Sequence, residues 1–539
     1  MSCRNKFKNK YFYPIFSAVL LSLGYNFPLF WFLGLVSLIP LIKFLYQVEN
    51  KKQLFSGLFL FSFLAYSFLM SWLLSTDVFA WFEIPNFLIG KIVILAYLIY
   101  FVLICCVTPF LILFYLFYKF KTKTFWDIFL FSSLWVLFDY SRTFIHPLAY
   151  YEENSFFGEH DTFCSIGYIF ASSENFLQLA RFGGVYLLGF VIVFINFAIY
   201  WMFFKSNKIK NKSKIIFLFL LIIAIFLPFN KIIFKNSESK NLIRISSLEF
   251  QYEPNISENK EELEKKHKNY FNILMEIEKS NFNPRVIIFP EGFGFNSILF
   301  KEKSLSEYYE NFFSDKKKII IDSDAVYDSK KVKSRLFYYN VEENLVKHYD
   351  KMFLTPGTEF LPVYFKYIAK LFNADSLLER FLIGGFSKGE ELTIGDFGNL
   401  KIGGIFCLEL VSPKISRDMT INGAQFFVNP SSHGSFKGNL FLRNQIVNIM
   451  KTRAVENDRY FVLSGNYVNS LIISNKGEIT NINKKGDNFL NGEVEPRNNL
   501  TFYVKFGDWA FVPFLIIVII FLIKKYLVSE KTNLKNNHK

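Results

Sequence analysis

Five cysteines and six histidines in 539 residues leave little material for a metal centre or a disulfide framework. The histidines are scattered, with no His-Glu-x-x-His pattern, and no Cys-x-x-Cys pair is present, so the familiar zinc arrangements are excluded. A glycine-rich phosphate loop, a dinucleotide fingerprint, an internal repeat and a low-complexity tract are all missing as well, and no cofactor is implied. What is abundant is apolar and aromatic: 52% of the chain is hydrophobic and 20% is Phe, Trp or Tyr, a composition unlike one soluble globule.

The apolar residues crowd 11–234 and 510–527, leaving a mixed, charged stretch between. A bilayer-crossing helix needs about 20 apolar residues. Seven candidates lie near 11–24, 27–46, 54–75, 90–118, 124–142, 183–204 and 214–234, and an eighth near 510–527. The fourth is longer than a span requires, so it is expected to tilt or to bend at Pro109. Basic segments, "MSCRNKFKNK", "ENKKQ", "KFKTK", "KSNKIKNKSK" and the tail "KKYLVSEKTNLKNNHK", fall at every second junction between spans, so all lie on one side. The loops "STDVFAWFEIPN" and 143–182 carry little positive charge. The positive-inside rule then places both termini in the cytoplasm and the stretch near 238–506 outside it. The net charge of +15 is explained by this asymmetry, and no nucleic-acid partner is called for. The expected organisation is a membrane part over 1–237, an extracytoplasmic domain over 238–506, and a last span with a basic tail over 507–539.

The outer stretch alternates short β-branched and aromatic runs with charged helical segments near 257–280 and 441–457, the pattern of an α/β domain. Three runs end in a reactive side chain: "RVIIFPEG" delivers Glu291, "VKHYDK" delivers Lys351 and "KIGGIFC" delivers Cys407. Taken singly, each has an ordinary explanation: a small buried core thiol, a helix-capping carboxylate, a solvated surface amine. Together they form a complete set for acyl transfer. A carboxylate can take the thiol proton, the thiolate can attack a carbonyl, and an ammonium with a backbone N–H can stabilise the oxyanion. Strand ends are also where ligands gather in open α/β sheets. Cys105 and Cys106 are adjacent in a span and read as bilayer-facing or packed, and Cys164 lies in an outer loop where a disulfide is chemically open to it.

The order Glu, Lys, Cys within "FPEG", "YDKMFLTPGTEFLP" and "GIFCLE" resembles the nitrilase (carbon–nitrogen hydrolase) superfamily. Joined to a multi-span bundle, it resembles the apolipoprotein N-acyltransferase family, as do "SIGYIFASSENFLQLARFGGVYLLGFVIVFIN", with Gly167, Tyr168, Gln178, Gly183, Gly184 and Asn196, and "RAVEND" before "SGNYVNSLIISNKGEI". The resemblance implies an α-β-β-α sandwich on an eight-helix bundle, in a bacterial inner membrane. It implies Cys407 as nucleophile and Glu291 as general base. Lys351 and the Leu408 N–H would stabilise the tetrahedral intermediate, Glu359 would orient the lysine, and Glu409 would support the nucleophile. The implied substrates are a phospholipid acyl donor and a diacylglyceryl-apolipoprotein acceptor. Two features depart from the family: Leu408 follows the nucleophile where an aromatic is usual, and "SSHGSFKG" places His433 at an acidic position and Ser435 at a tryptophan position. The rival expectations are a membrane-tethered amidase acting on a small C–N substrate and a non-enzymatic ligand-binding membrane protein. Phe79, Trp81 and Phe82 would line a lipid entry or simply anchor the interface.

Overall fold

The computed structural model describes residues 2–76, 87–151, 161–205, 241–252, 260–292, 305–328, 331–356, 359–363, 366–367, 370, 385–483 and 488–537. Apolar stretches at the N-terminal end fold into helices Ser2–Asn26, Ile39–Gln47, Lys51–Leu69, Phe87–Phe101, Thr108–Phe120, Asp127–Ala149 and Ala180–Tyr200. Five stretches are long and apolar enough to cross a membrane: Pro28–Gln47, Lys51–Leu69, Ile94–Phe120, Asp127–Ala149 and Ala180–Lys205. The first expected span falls within Ser2–Asn26 and the eighth within Phe511–Asn537, whose apolar part, Phe511–Lys524, is shorter. The seventh, 214–234, and the loop carrying Phe79, Trp81 and Phe82 lie outside the described residues.

Irregularities in the helices have local causes. Pro109 has no N–H to continue the ladder, and the turn ahead of it, Val102–Val107, widens to a π-helix, with Thr108 Oγ1 donating to the Leu103 carbonyl at 2.8 Å. Asn196, buried in Ala180–Tyr200, donates to the Gly34 carbonyl at 2.7 Å and accepts from Leu38 N at 2.8 Å. Its amide supplies the backbone bonds missing where the 3-10 segment Pro28–Leu35 gives way to Ile39–Gln47, as an apolar surrounding demands. Leu29, Ile92, Ile112, Phe203 and Ile520 are exposed, the surface expected of helices bathed in lipid. Cys105, Cys106 and Cys164 are buried and free, so the thiols are packed and unbridged.

The charged middle of the chain forms two half-sheets. The first holds β1 (Ile243–Phe250), β2 (Val286–Ile288), β3 (Ile319–Asp328), β4 (Lys331–Asn340), β5 (Leu345–Asp350) and β12 (Phe489–Val494); β1, β2 and β3 are parallel, while β4, β5 and β12 pair antiparallel. The second holds β6 (Gly395–Asp396), β7 (Lys401–Gly404), β8 (Phe426–Ser432), β9 (Phe461–Asn466), β10 (Leu471–Ile473) and β11 (Ile479–Ile482), with β7, β8 and β9 parallel. The halves join where the end of β1 pairs with the end of β9. Side chains alternate across a strand. Leu248, Ile287, Ile320 and Tyr339 therefore pack on one face with Tyr270, Ile273, Leu274 and Ile277 of helix Lys260–Lys279. Ile245, Val286, Ile288, Ile321 and Tyr338 face the other way, into the larger core shared with the second half-sheet. A Cβ at Gly404 would fall 2.1 Å from Leu336 and 2.3 Å from the Tyr338 hydroxyl, so glycine is what lets the two half-sheets approach there.

Helix Leu440–Asn457 ties this α/β body to the helices. Arg453, fully buried, donates to the Leu410 carbonyl at 3.0 Å, to Thr162 Oγ1 at 2.8 Å and to the Tyr168 hydroxyl at 2.6 Å, and pairs with Glu456. Glu456 in turn accepts from Val185 N at 2.9 Å. Just past the helix, Asp458 binds Arg181 at 2.6 Å and Arg497 at 3.0 Å. Gly184, with φ of +61°, lies where a Cβ would be 2.7 Å from the Tyr503 ring and 3.0 Å from Glu456 Oε1.

Candidate active site

Glu291, Lys351 and Cys407 meet at one end of the joined half-sheets, each brought there by a strand that has just stopped. β2 ends at Ile288; Phe289 N still donates to the Ile321 carbonyl at 2.8 Å, but Pro290 has no N–H and the chain turns off the ladder. Gly292, at φ of +80°, completes the turn with its N–H on Ser323 Oγ at 2.9 Å. Lys351 follows β5 directly, its N–H on the Ser334 carbonyl at 2.9 Å. Its neighbour Asp350 is fixed by Arg335 at 2.6 and 2.9 Å.

The run "KIGGIFC" is a strand only over Lys401–Gly404 and does not continue to the cysteine; Cys407 opens a 3-10 turn, Cys407–Val411. Its φ of +36° is a strained value for a side chain with a Cβ, and such strain persists only where the surroundings enforce it. The enforcing groups are visible. Asn429 Nδ2 donates to the carbonyls of Ile405 and Cys407 at 2.7 and 3.2 Å, and its Oδ1 accepts from Ser431 Oγ at 2.8 Å. The turn's first bond runs from Glu409 N to the Phe406 carbonyl at 2.7 Å, so the Leu408 N–H is not consumed by the turn.

Lys351, only 2% exposed, bridges two carboxylates: its Nζ lies 3.0 Å from Glu291 Oε1 and 2.8 Å from Glu359 Oε1. Glu359 is itself anchored by Thr355 N at 2.7 Å. Cys407 Sγ lies 4.0 Å from the Ser432 carbonyl, and the Glu291 carboxyl is near enough for its charge to act on the thiol. Burial pushes the Glu291 carboxyl above its usual range, a shift that the Lys351 ammonium opposes and Glu359 reinforces. Burial disfavours the Lys351 charge, but Glu291 and Glu359 outweigh it and hold the ammonium well above the ordinary lysine value. Burial and the Glu291 charge raise the Cys407 thiol, so at neutral pH it rests protonated near the Glu291 carboxyl.

Glu409 is a clamp and does not join this cluster. Fully buried, its Oε1 accepts from the Tyr349 hydroxyl at 2.9 Å, Met352 N at 2.7 Å and Phe353 N at 2.9 Å, while Oε2 accepts from Phe406 N at 2.9 Å. One carboxylate thus fastens the segment after Lys351 to the residue before Cys407. Sequence reasoning passed over Tyr349 and Asn429. An asparagine followed by proline inside the apolar run "AQFFVNPSS" was the available signal for the second.

Comparison with known proteins finds matches for both parts of the chain. The model of the apolipoprotein N-acyltransferase N-terminal domain matches residues 17–198, and that of the carbon–nitrogen hydrolases matches 304–490, a range that holds Lys351 and Cys407. The apolipoprotein N-acyltransferase of Borreliella burgdorferi is 27% identical over 525 residues, covering 93% of this chain and 92% of that protein. That of Geobacter metallireducens is 32% identical over 167 residues, 30% of this chain and 31% of that protein. Among solved structures, a nitrilase-superfamily protein of Saccharomyces cerevisiae superposes with a TM-score of 0.35 at 17% identity, covering 48% of this chain and 93% of that one. The helices and the catalytic sheet are each matched in their own right, and one relative aligns along nearly the whole chain: this protein belongs to the apolipoprotein N-acyltransferase family.

Proposed function

We propose that the protein moves an acyl chain from a membrane phospholipid, through a thioester on Cys407, to the α-amino group of an S-diacylglyceryl-cysteine at the start of an apolipoprotein. The observation that carries this reading is Lys351, a buried ammonium held between Glu291 and Glu359 beside the Cys407 thiol, in a chain with five helices long and apolar enough to cross a membrane. Both substrates are lipids, so the helices have a purpose that a small soluble amide would not give them.

In the first half-reaction Glu291 takes the thiol proton as Sγ attacks the ester carbonyl. The oxyanion is stabilised by the Lys351 ammonium and the Leu408 N–H. Collapse breaks the bond to the glyceryl oxygen, which leaves with the proton from Glu291 as the hydroxyl of a lysophospholipid. In the second half-reaction the acceptor amine attacks the thioester, Glu291 takes a proton from the amine nitrogen, and the thiolate leaves and is reprotonated. Glu359 orients Lys351, and Glu409 fixes the two segments that carry the lysine and the nucleophile. The same reading places residues 238–506 on the extracytoplasmic face of a bacterial inner membrane, with the basic termini in the cytoplasm.

The test is mass spectrometry of purified protein given a phospholipid with a labelled acyl chain, followed by a diacylglyceryl-cysteine peptide. A hydroxylamine-sensitive label on Cys407 that passes to the peptide amine is the expected result. Label released only as free fatty acid, with competent peptide present, would replace this reading with hydrolysis.

A further inference from the structure

Three buried polar side chains, grouped around Phe436, have no hydrogen-bond partner: Trp72 through Nε1, Thr76 through Oγ1, and His433 through both ring nitrogens. Trp72 is 4% exposed, Thr76 3% and His433 1%. Buried polar groups are nearly always paired, and leaving one unpaired is costly. Three such groups in one neighbourhood mark a place where a ligand completes the set.

That they share a neighbourhood follows from the rings between them. Trp72 meets Phe436 edge to face at 5.4 Å, and Phe436 meets His433 in the same manner at 6.3 Å. Ser75, which precedes Thr76, donates its hydroxyl to the Phe436 carbonyl at 3.4 Å. The Ser432 carbonyl that Cys407 Sγ approaches at 4.0 Å belongs to the residue just before His433. The cluster joins the 3-10 segment Ser71–Ser75, at the end of membrane helix Lys51–Leu69, to the turn Gly434–Phe436 beyond β8.

The chemistry of the three is uncharged and rich in donors. An indole offers only a donor, a hydroxyl and a neutral imidazole each offer one, and burial, by lowering the His433 pKa to about 4, keeps that ring neutral. A phosphate or carboxylate would call for a cation. An ester carbonyl is an uncharged acceptor and fits. We propose that Trp72, Thr76 and His433 recognise the glyceryl diester of the lipid substrates: in the donor they bind the carbonyl of the ester that is not cleaved while its neighbour is presented to Cys407, and in the acceptor they bind an ester carbonyl while the amine meets the thioester. The proposal rests on the acyltransferase reading above. The group is common to the phospholipid donor and the diacylglyceryl acceptor, so the site serves both half-reactions.

The test uses full-length protein in detergent micelles and two pairs of phospholipids that share a labelled ester, at sn-1 in one pair and at sn-2 in the other. Within each pair the remaining position is an ester in one lipid and an ether, which lacks only the carbonyl, in the other. Labelling of Cys407 gives kcat/KM for each. A lost hydrogen bond is worth about 3- to 10-fold here, so the unaltered protein should prefer the diester by about that factor. Trp72→Phe and His433→Phe should shrink the preference toward one, and His433→Asn, which keeps a donor, should retain more of it. The matching pair of acceptor peptides, diester and ether, reports the second half-reaction. Equal rates for diester and ether lipids in the unaltered protein overturn the proposal, as does a preference that survives in both phenylalanine variants. An unaltered protein whose Cys407 takes no label from any of these lipids overturns the acyltransferase reading itself, and the site falls with it.

Discussion

Replacing Lys351 with methionine keeps the length of the side chain and removes its charge, and the site predicts two separable losses. The ammonium is the only cation within bonding distance of Glu291 and Glu359, at 3.0 and 2.8 Å, among the described residues. Without it two carboxylates share a buried site with no counter-charge. Breaking a buried pair on one side typically costs about 3–5 kcal/mol, and the thermal midpoint in detergent should fall accordingly. The second loss is catalytic. Removing one oxyanion donor slows acyl transfer by about 10²- to 10³-fold, and Glu291, its carboxyl driven further up by Glu359, becomes a poorer base at rest. The assay is single-turnover accumulation of labelled acyl chain on Cys407. A second change separates the two effects: Glu359→Gln in the Lys351→Met background removes the surplus negative charge. It should recover about 2 kcal/mol of the lost stability and leave acylation slow. A folded Lys351→Met protein that acylates Cys407 within about tenfold of the unaltered rate would refute the assignment of the ammonium to the oxyanion.

Further predictions concern the base, the clamp and the tie to the helices. Glu291→Gln, which keeps the contact to Lys351 but cannot accept a proton, should slow Cys407 acylation by about 10²- to 10⁴-fold, measured by the same labelling. Burial pushes the Glu409 carboxyl up to about 7, so the folded protein holds that proton more tightly than the unfolded chain. The resulting stability is complete below the ordinary glutamate value near 4.5 and is lost as pH rises through about 7. Glu409→Gln should therefore flatten the fall in thermal midpoint between about pH 5 and pH 8. Arg453→Ala should cost about 3–5 kcal/mol by stranding Glu456, read as the midpoint of near-ultraviolet circular dichroism in detergent.

The sequence disclosed what depends on neighbours in the chain and concealed what depends on neighbours in space. Apolar length located the helices, and alternation located the strands, because both patterns are written residue by residue. Glu291, Lys351 and Cys407 were legible because each follows an apolar run that has to end somewhere. "RLFYYNVEENLVKHYDK" has the composition of one long apolar run but is the hairpin of β4 and β5, turning through Asn344 at φ of +49°. The asparagine was a usable turn signal, masked by the valine and leucine beside it. Glu409 could be placed next to the nucleophile, but its four donors come from residues 349, 352, 353 and 406, three of them beyond local reach. The grip of Arg453 on Thr162 and Tyr168 spans nearly 300 positions, and periodicity carries no trace of it.

Thr162 is more than an anchor for Arg453. Its N–H and its hydroxyl both reach the Val411 carbonyl, at 3.2 and 2.6 Å, at the end of the very turn that Cys407 begins. A loop between two bilayer helices thus steadies the floor of the chemical centre. Separated from its helices, the sheet would keep its strands while the nucleophile lost its footing. Detergents that loosen the bundle should silence the enzyme while its secondary structure still looks intact, so the choice of solubilising agent is itself a variable of catalysis.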